Sequence, residues 1–212
     1  MQTLTDKVYE HIPTGIFTFF DVACLVNGSN DKQYNLIKRA IAAGEIIQIR
    51  RGLYCLAPKY SREKISPFGM AQQIYGPSYI SLESALSWHG WIPEAVYCVT
   101  NASFKRSTKF ETSLGGISYV RVPQKVFYAE VERHSDKTGN IYFMASAMKA
   151  LTDYVYAYKK DWKSADPVIK SLRVDEESLN LFTGDDLEAL IENYSNNRVK
   201  RFLKGLKRDL KL

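Results

Sequence analysis

The chain has 212 residues, 45% of them apolar and 25% charged, with a formal net charge of +6. That size and balance describe a globular protein of one large domain or a small and a medium one, and no apolar run approaches the ~18 residues of a membrane span. Three scattered cysteines, Cys24, Cys55 and Cys98, each in an apolar stretch, predict buried reduced thiols and exclude a disulfide framework or a cysteine metal site.

The N-terminal "MQTLTDKVYEHI" lacks the apolar core of a signal peptide, so a cytoplasmic location is expected. Charge is unevenly divided along the chain. Residues 1–64 carry a net +3, residues 65–192 a net −3 and residues 193–212 a net +6. A mildly acidic middle between a basic head and a basic tail favours an anionic partner at the ends of the chain.

In chain order, Leu4, Val8 and Ile12 fit a short helix ending at Pro13 and Gly15, and "GIFTF" suits a brief strand. Thr18 is placed to cap a second helix, paired with Asp21, with Phe20, Cys24 and Leu25 facing inward. "NGSN" ends that helix, and Ser29 or Asn30 caps a third that runs to about Ala43 before Gly44. On the third helix Tyr34, Ile37 and Ile41 share the expected inner face. Lys32, Asn35, Leu36 and Arg39 fall opposite, with Gln33 and Lys38 on the flanks. Cations, amides and a methyl group in that mixture suit contacts to phosphates and base edges.

"EIIQIRRGLYCLAP", residues 45–58, reads as a hairpin with Arg51-Gly52 at its tip, because Gly52 supplies the positive φ of such a turn. The expected register pairs Arg50 with Leu53, Ile49 with Tyr54 and Ile47 with Leu56, which buries Ile47, Ile49, Tyr54 and Leu56 on one face. Arg50 and Arg51 then extend outward. Helix, strand, helix, polar-faced helix and basic-tipped hairpin, in that order, make a winged helix-turn-helix. Its third helix would lie in the major groove, and its wing would reach a phosphate strand or the minor groove. The expected DNA-contacting residues are Ser29, Lys32, Gln33, Asn35, Leu36, Lys38, Arg39, Arg50 and Arg51.

"PKYSREKISP" reads as a linker, followed by a helix from about Pro67 to Tyr75. Tyr79-Ile80 is a short strand, and Ser81 is expected to cap a helix that stops at Gly90. "AVYCVTN", "ISYVRVP" and residues 127–132 read as strands, and "GNIYFMASAMKALTDYVYAY" runs from a strand into an amphipathic helix.

"FTFFDVA … AIAAGEIIQIRRGLY" followed by "YISLESALSWHGWIPEAVYCVT" resembles the AbiEi-type antitoxins of abortive-infection, type IV toxin–antitoxin systems, over roughly residues 1–160, most specifically from Tyr79 to Thr100. The resemblance implies a phage-defence role in two parts: a winged helix that binds inverted repeats in its own promoter and represses transcription, and a second domain with antitoxin activity. It also implies a nucleotidyltransferase-like toxin as functional counterpart, antagonised without a stable complex. In the family a proline-glutamate pair often precedes "KAL"; here Ala147-Met148 precedes Lys149-Ala150-Leu151, and no antitoxin residue is carried over to that helix.

"TGDDLEALIENY" reads as a capped helix with Leu187, Leu190, Ile191 and Tyr194 inward. In "SNNRVKRFLKGLKRDLKL" the residues Val199, Phe202, Leu203, Leu206 and Leu210 share one arc, while Lys200, Arg201, Lys204, Lys207, Arg208 and Lys211 form a secondary basic face. That face reads either as a contact surface for DNA or an acidic partner, or as the solvated side of a docked helix; a membrane-surface helix would want an interfacial tryptophan.

Catalytic patterns are absent from the sequence: no zinc-protease pair, phosphate-binding glycine loop or dinucleotide fingerprint occurs. "DKTG" at 136–139 reads as a hairpin turn, "GG" at 115–116 as a turn between strands, and His89 as a helix-end residue bonding nearby carbonyls. No cofactor, metal or enzymatic activity is expected. The expected fold is α+β: a winged helix at 1–60, a mixed α/β antitoxin domain at 66–180 and a C-terminal helical pair at 181–212. The expected function is a DNA-binding autorepressor and antitoxin with double-stranded operator DNA as partner and no membrane. The alternative is a nucleic-acid-processing enzyme delivered by the winged helix, drawing on Glu83, Glu94, Glu111, Glu130 and Glu132.

Overall fold

The computed structural model describes residues 2–94 and 96–212. Among them it is a mixed α+β protein with ten α-helices and two sheets. It divides into two compact units, one running to Ile74 and including 111–115 and 134–142, the other comprising 75–110, 116–133 and 143–212.

In the first unit, α1 (Leu4–His11) opens with a reciprocal capping box between Thr3 and Asp6, and α2 (Phe19–Leu25) with another between Thr18 and Asp21. Each satisfies two otherwise orphaned backbone donors. α3 (Asn30–Ala42) is capped by the Ser29 side chain. β1 (Ile16–Thr18), β2 (Ile46–Arg50) and β3 (Leu53–Leu56) form an antiparallel sheet in the order β1-β3-β2. β3 lies between two partners, and all four of its residues are buried. Leu4, Val8, Phe17, Val22, Val26, Ile37, Ala40, Ile46, Tyr54 and Leu56 make the core.

Several expected orientations differ here. Phe20 is 74% exposed and Cys24 is exposed, because the inner stripe of α2 runs through Val22, with Leu25 half-buried. Tyr34 is exposed and stacks on Phe19 at 4.1 Å between ring centroids. The buried stripe of α3 is Gln33, Ile37 and Ala40, offset by one position from the expected one.

The hairpin turns at Arg51-Gly52, and Gly52 has φ +78° with open space where a Cβ would stand. Arg50 opposes Leu53 as expected. A bulge at Ile49 then shifts the register, so that Gln48 faces Tyr54, Ile47 faces Cys55 and Ile46 faces Leu56. The extra residue puts Ile46 and Ile49 in the core and leaves Ile47 half-buried.

α4 (Pro67–Ile74) belongs to the first compact unit, which runs past the linker expected around residues 60–66. The Gln73 carbonyl accepts from Arg50 at 3.4 Å, and the Gln73 amide donates to Asn140 at 3.3 Å.

A six-stranded mixed sheet in the order β6-β7-β5-β4-β9-β8 has most of its residues in the second unit. Its strands are β4 (Ser78–Ile80), β5 (Cys98–Ser103), β6 (Thr108–Thr112), β7 (Gly115–Arg121), β8 (Val131–Ser135) and β9 (Ile141–Ala145). β4 and β5 are antiparallel, while β4–β9 and β5–β7 are parallel. The strand expected at 127–132 begins only at Val131, and Gly115-Gly116 opens β7 instead of forming the turn. α5 (Leu82–Trp88), α6 (Ala147–Ala157), α7 (Asp166–Leu172), α8 (Glu176–Leu179), α9 (Gly184–Asn193) and α10 (Asn197–Asp209) complete the unit.

Ser81 does not cap α5 through its side chain. Its hydroxyl donates to Asp153 at 2.7 Å, and the Thr100 hydroxyl accepts from the Ser84 amide at 3.0 Å in its place. Leu82, the first residue of α5, is buried with φ +55°, a left-handed backbone that costs about 1–2 kcal/mol for a branched side chain.

The C-terminal pair, α9 and α10, lies within this second compact unit. Val199, Phe202, Leu203 and Leu206 are fully buried. Gly205 is seated so close to the Lys163 carbonyl that a Cβ would lie 1.9 Å from its oxygen.

Candidate nucleic-acid interface

The outward arc of α3 presents Lys32, Asn35, Lys38 and Arg39, all exposed, together with Asp31 in the first turn. Ser29, also exposed, accepts from the Lys32 amide at 3.4 Å and so fixes the start of the helix. Lys32 Nζ donates to the Asn27 carbonyl at 3.3 Å, and Arg39 Nε to the Asn35 carbonyl at 3.3 Å. Each cation keeps further donors free.

Two expected contact residues lie elsewhere. Gln33 is 4% exposed, and its Nε2 donates to the carbonyls of Val26 at 2.9 Å and Gly28 at 3.3 Å. Its amide closes the end of α2 and the following turn, so it does not reach a groove. Leu36 is half-buried and packs against the core, because it lies on the flank of α3 and not at the crest.

At the hairpin tip Arg50 and Arg51 are both exposed. The Arg50 guanidinium leans back, donating to the carbonyls of Arg51 at 3.3 Å and Gln73 at 3.4 Å. No carboxylate pairs with either arginine among the described residues. Cations left free of internal acids are chemically equipped to bind an anion, and guanidinium groups fork onto phosphate oxygens.

The secondary basic face on α10 is differently disposed. Arg201 pairs with Asp161 at 3.6 Å, Lys207 with Glu188 at 2.9 Å and Arg208 with its neighbour Asp209 at 3.0 Å. Lys207 holds the Glu188 carboxyl below its usual range, by hydrogen bond first and charge second. Lys200 is half-buried, while Lys204 and Lys211 are exposed. Half of the face is thus engaged within the fold.

A second cluster lies wholly inside. Lys149 and Asp153 on α6 are both 0% exposed and 3.1 Å apart. Lys149 Nζ also donates to the Tyr79 hydroxyl at 2.8 Å, to Gln124 Oε1 and to the Tyr194 hydroxyl. Asp153 accepts from Tyr79 at 2.8 Å, from Ser81 at 2.7 Å and from Tyr194. Burial lowers the Lys149 ammonium against the opposing pull of Asp153, and raises the phenols of Tyr79 and Tyr194 with Asp153 adding to the rise. With no access for a substrate, the cluster acts as a polar clasp joining β4, α6 and the residue that follows α9. Sequence reasoning missed it: Lys149, Thr152 and Asp153 share one arc and read as the polar face of an amphipathic helix, whereas the fold buries that face too.

Other expected features fall as follows. His89 bonds the Ala145 carbonyl at 2.8 Å through Nε2, as a helix-end residue should. Asp136 folds its turn, accepting from the Thr138 amide and hydroxyl and from the Asn140 amide, at 2.7–2.9 Å. Burial pushes its carboxyl up, and the hydrogen bonds from Thr138 and Asn140 outweigh that and hold it below the usual value. Cys55 is buried, which pushes its thiol up to about 12. No group of three or more His, Cys, Asp or Glu side chains able to hold a metal occurs among the described residues. Among the described residues no helix is long and apolar enough to cross a membrane.

No protein-family model matches the chain, and no curated protein matches it.

Proposed function

We propose that the chain is a cytoplasmic DNA-binding autorepressor and antitoxin whose first unit is a winged helix-turn-helix. The observation that carries the DNA-binding part is the set of cations on α3 and the hairpin tip that no carboxylate pairs with among the described residues: Lys32, Lys38, Arg39, Arg50 and Arg51. The element order α1-β1-α2-α3-β2-β3 with sheet order β1-β3-β2 supports the winged-helix reading. In it α3 enters the major groove, Asn35 reads a base edge, and Arg51 holds phosphate from the wing. Gln33 and Leu36 support the helix from beneath and are not in the contact set.

The antitoxin part draws on the resemblance of residues 1–160 to the AbiEi type, and its counterpart is a nucleotidyltransferase-like toxin encoded alongside. The two parts are tested separately. A mobility-shift titration on the chain's own upstream region, at two salt concentrations, should show affinity above that for scrambled DNA and a steep loss with salt as counterions are released; equal affinity for both sequences removes the operator-reading claim. Co-expression with the adjacent toxin should rescue growth, and a proven toxin that still kills removes the antitoxin claim.

A further inference from the structure

Between α1 and α3 of the first unit lies a groove of about 750 Å³, within the ~300–1,000 Å³ typical of small-molecule sites. Its floor is apolar, made by Leu4, Val26, Leu36 and Ala40. Its rim carries Lys7, Lys32 and Arg39. Each of the three is tethered by a main-chain carbonyl, Lys7 to that of Leu25 at 3.0 Å and the others as described above, and each has donors to spare. The one acid in the lining, Glu45, accepts from Thr5 Oγ1 at 2.5 Å and pairs with none of the three cations.

Three cations over an apolar floor select an anion with a hydrophobic body. A phosphate backbone has no use for the floor, and a second copy of the chain would need a continuous interface of about 800 Å² per partner, far beyond one concavity. We propose that this groove binds a small carboxylate with an aryl or alkyl body, and that its occupation releases DNA. The second half rests on the DNA-binding reading, because Lys32 and Arg39 stand both on the rim and on the outward arc of α3. A bound carboxylate draws both inward and cancels one of their two charges, which removes two phosphate contacts and weakens operator binding about ten-fold or more at moderate salt.

The test uses the full chain, methyl-labelled, titrated with 2-naphthoate and octanoate, and with neutral 2-naphthamide as control. The carboxylates should shift the Leu4 and Leu36 methyl signals with a Kd on the order of 1 mM, the affinity expected of a ligand with about a dozen heavy atoms, while the amide binds at least several-fold more weakly. Lys7→Gln, off the DNA-contacting set, should weaken carboxylate binding about five-fold, as loss of one charge-assisted contact predicts, and leave operator binding in the absence of probe unchanged. Ala43→Trp, at the exposed mouth of the groove, should abolish the methyl shifts without disturbing the core. Absence of shifts with both carboxylates at about 10 mM, or equal binding of the amide, overturns the site. Carboxylate binding with undiminished operator affinity overturns the competition. A chain that binds no operator even without probe defeats the DNA reading alone, because the methyl titration is read without DNA.

Discussion

α3 and α10 are both thirteen-residue helices with a cationic face, and in the sequence they look like two versions of one device. Their surroundings separate them. On α3 Lys32 and Arg39 donate to main-chain carbonyls, whereas on α10 Arg201, Lys207 and Arg208 each meet a carboxylate. Charge density is a property of the chain, but availability of charge is a property of the fold. The tail holds the largest net charge per residue, yet half of its cationic face is paired with carboxylates.

The comparison extends to a third setting, the buried Lys149, and there the largest effect is expected. Lys149→Met strands Asp153 without its cation and should destabilise the protein by about 3–5 kcal/mol in urea unfolding, whereas the pair Lys149→Met with Asp153→Leu should recover much of that. A single variant as stable as the wild type would mean that the pair is not held as described. Next comes the seating of α10. Gly205→Ala drives a methyl group into the Lys163 carbonyl and should cost about 1–3 kcal/mol; an unchanged urea midpoint would show the helix free to lift away.

The contrast between α3 and α10 is sharpened by DNA titrations. Lys32→Ala and Arg51→Ala should each weaken operator binding about five- to ten-fold and flatten the salt slope by about 0.9, the share of one phosphate contact. Arg201→Ala and Lys207→Ala should change affinity less than about two-fold, because an internally paired cation contributes less to the anionic partner. Equal losses on both helices would erase the distinction. Asn35→Ala should leave total affinity less affected and relax preference at one base pair.

The smallest effect is a pH signature. The Asp136 carboxyl is lowered in the folded state, so its contribution is fully present above its unfolded value of about 3.9 and is lost as pH falls through the folded value. The difference in urea midpoint between wild type and Asp136→Asn should therefore shrink as pH falls below about 4. A difference independent of pH would assign the turn to the hydrogen-bond geometry of either side chain and not to charge.

Much of the first unit was legible locally. Thr18–Asp21 announces a helix start by residue type and spacing alone and forms a capping box, as does "TGDD" in the second unit through Thr183–Asp186; the same box at Thr3–Asp6 went unread. The tip at Arg51-Gly52 followed from glycine chemistry. What escaped was set by packing. Whether Gln33 reads a groove or bonds Val26 depends on which stripe of α3 faces in, and a one-position offset decided it. The bulge at Ile49 has no local signature, because "IIQIR" is compatible with either register until the core selects which isoleucines it needs. Ser81 carries every local mark of a helix cap, but a buried carboxylate from α6 offers its hydroxyl a stronger partner. β6, α7 and α8 lie in segments of mixed polarity that no period identifies.

That borrowed cap on α5 has a bearing on how the second unit opens. Seven residues are too few to hold a helix alone, and the group that closes its first turn arrives from Thr100, sixteen positions along the chain. Exchange of the Ser84 amide proton with solvent should therefore keep time with separation of β4 from β5, and not with fraying of a helix end: strand and helix let go together, as one cooperative foldon.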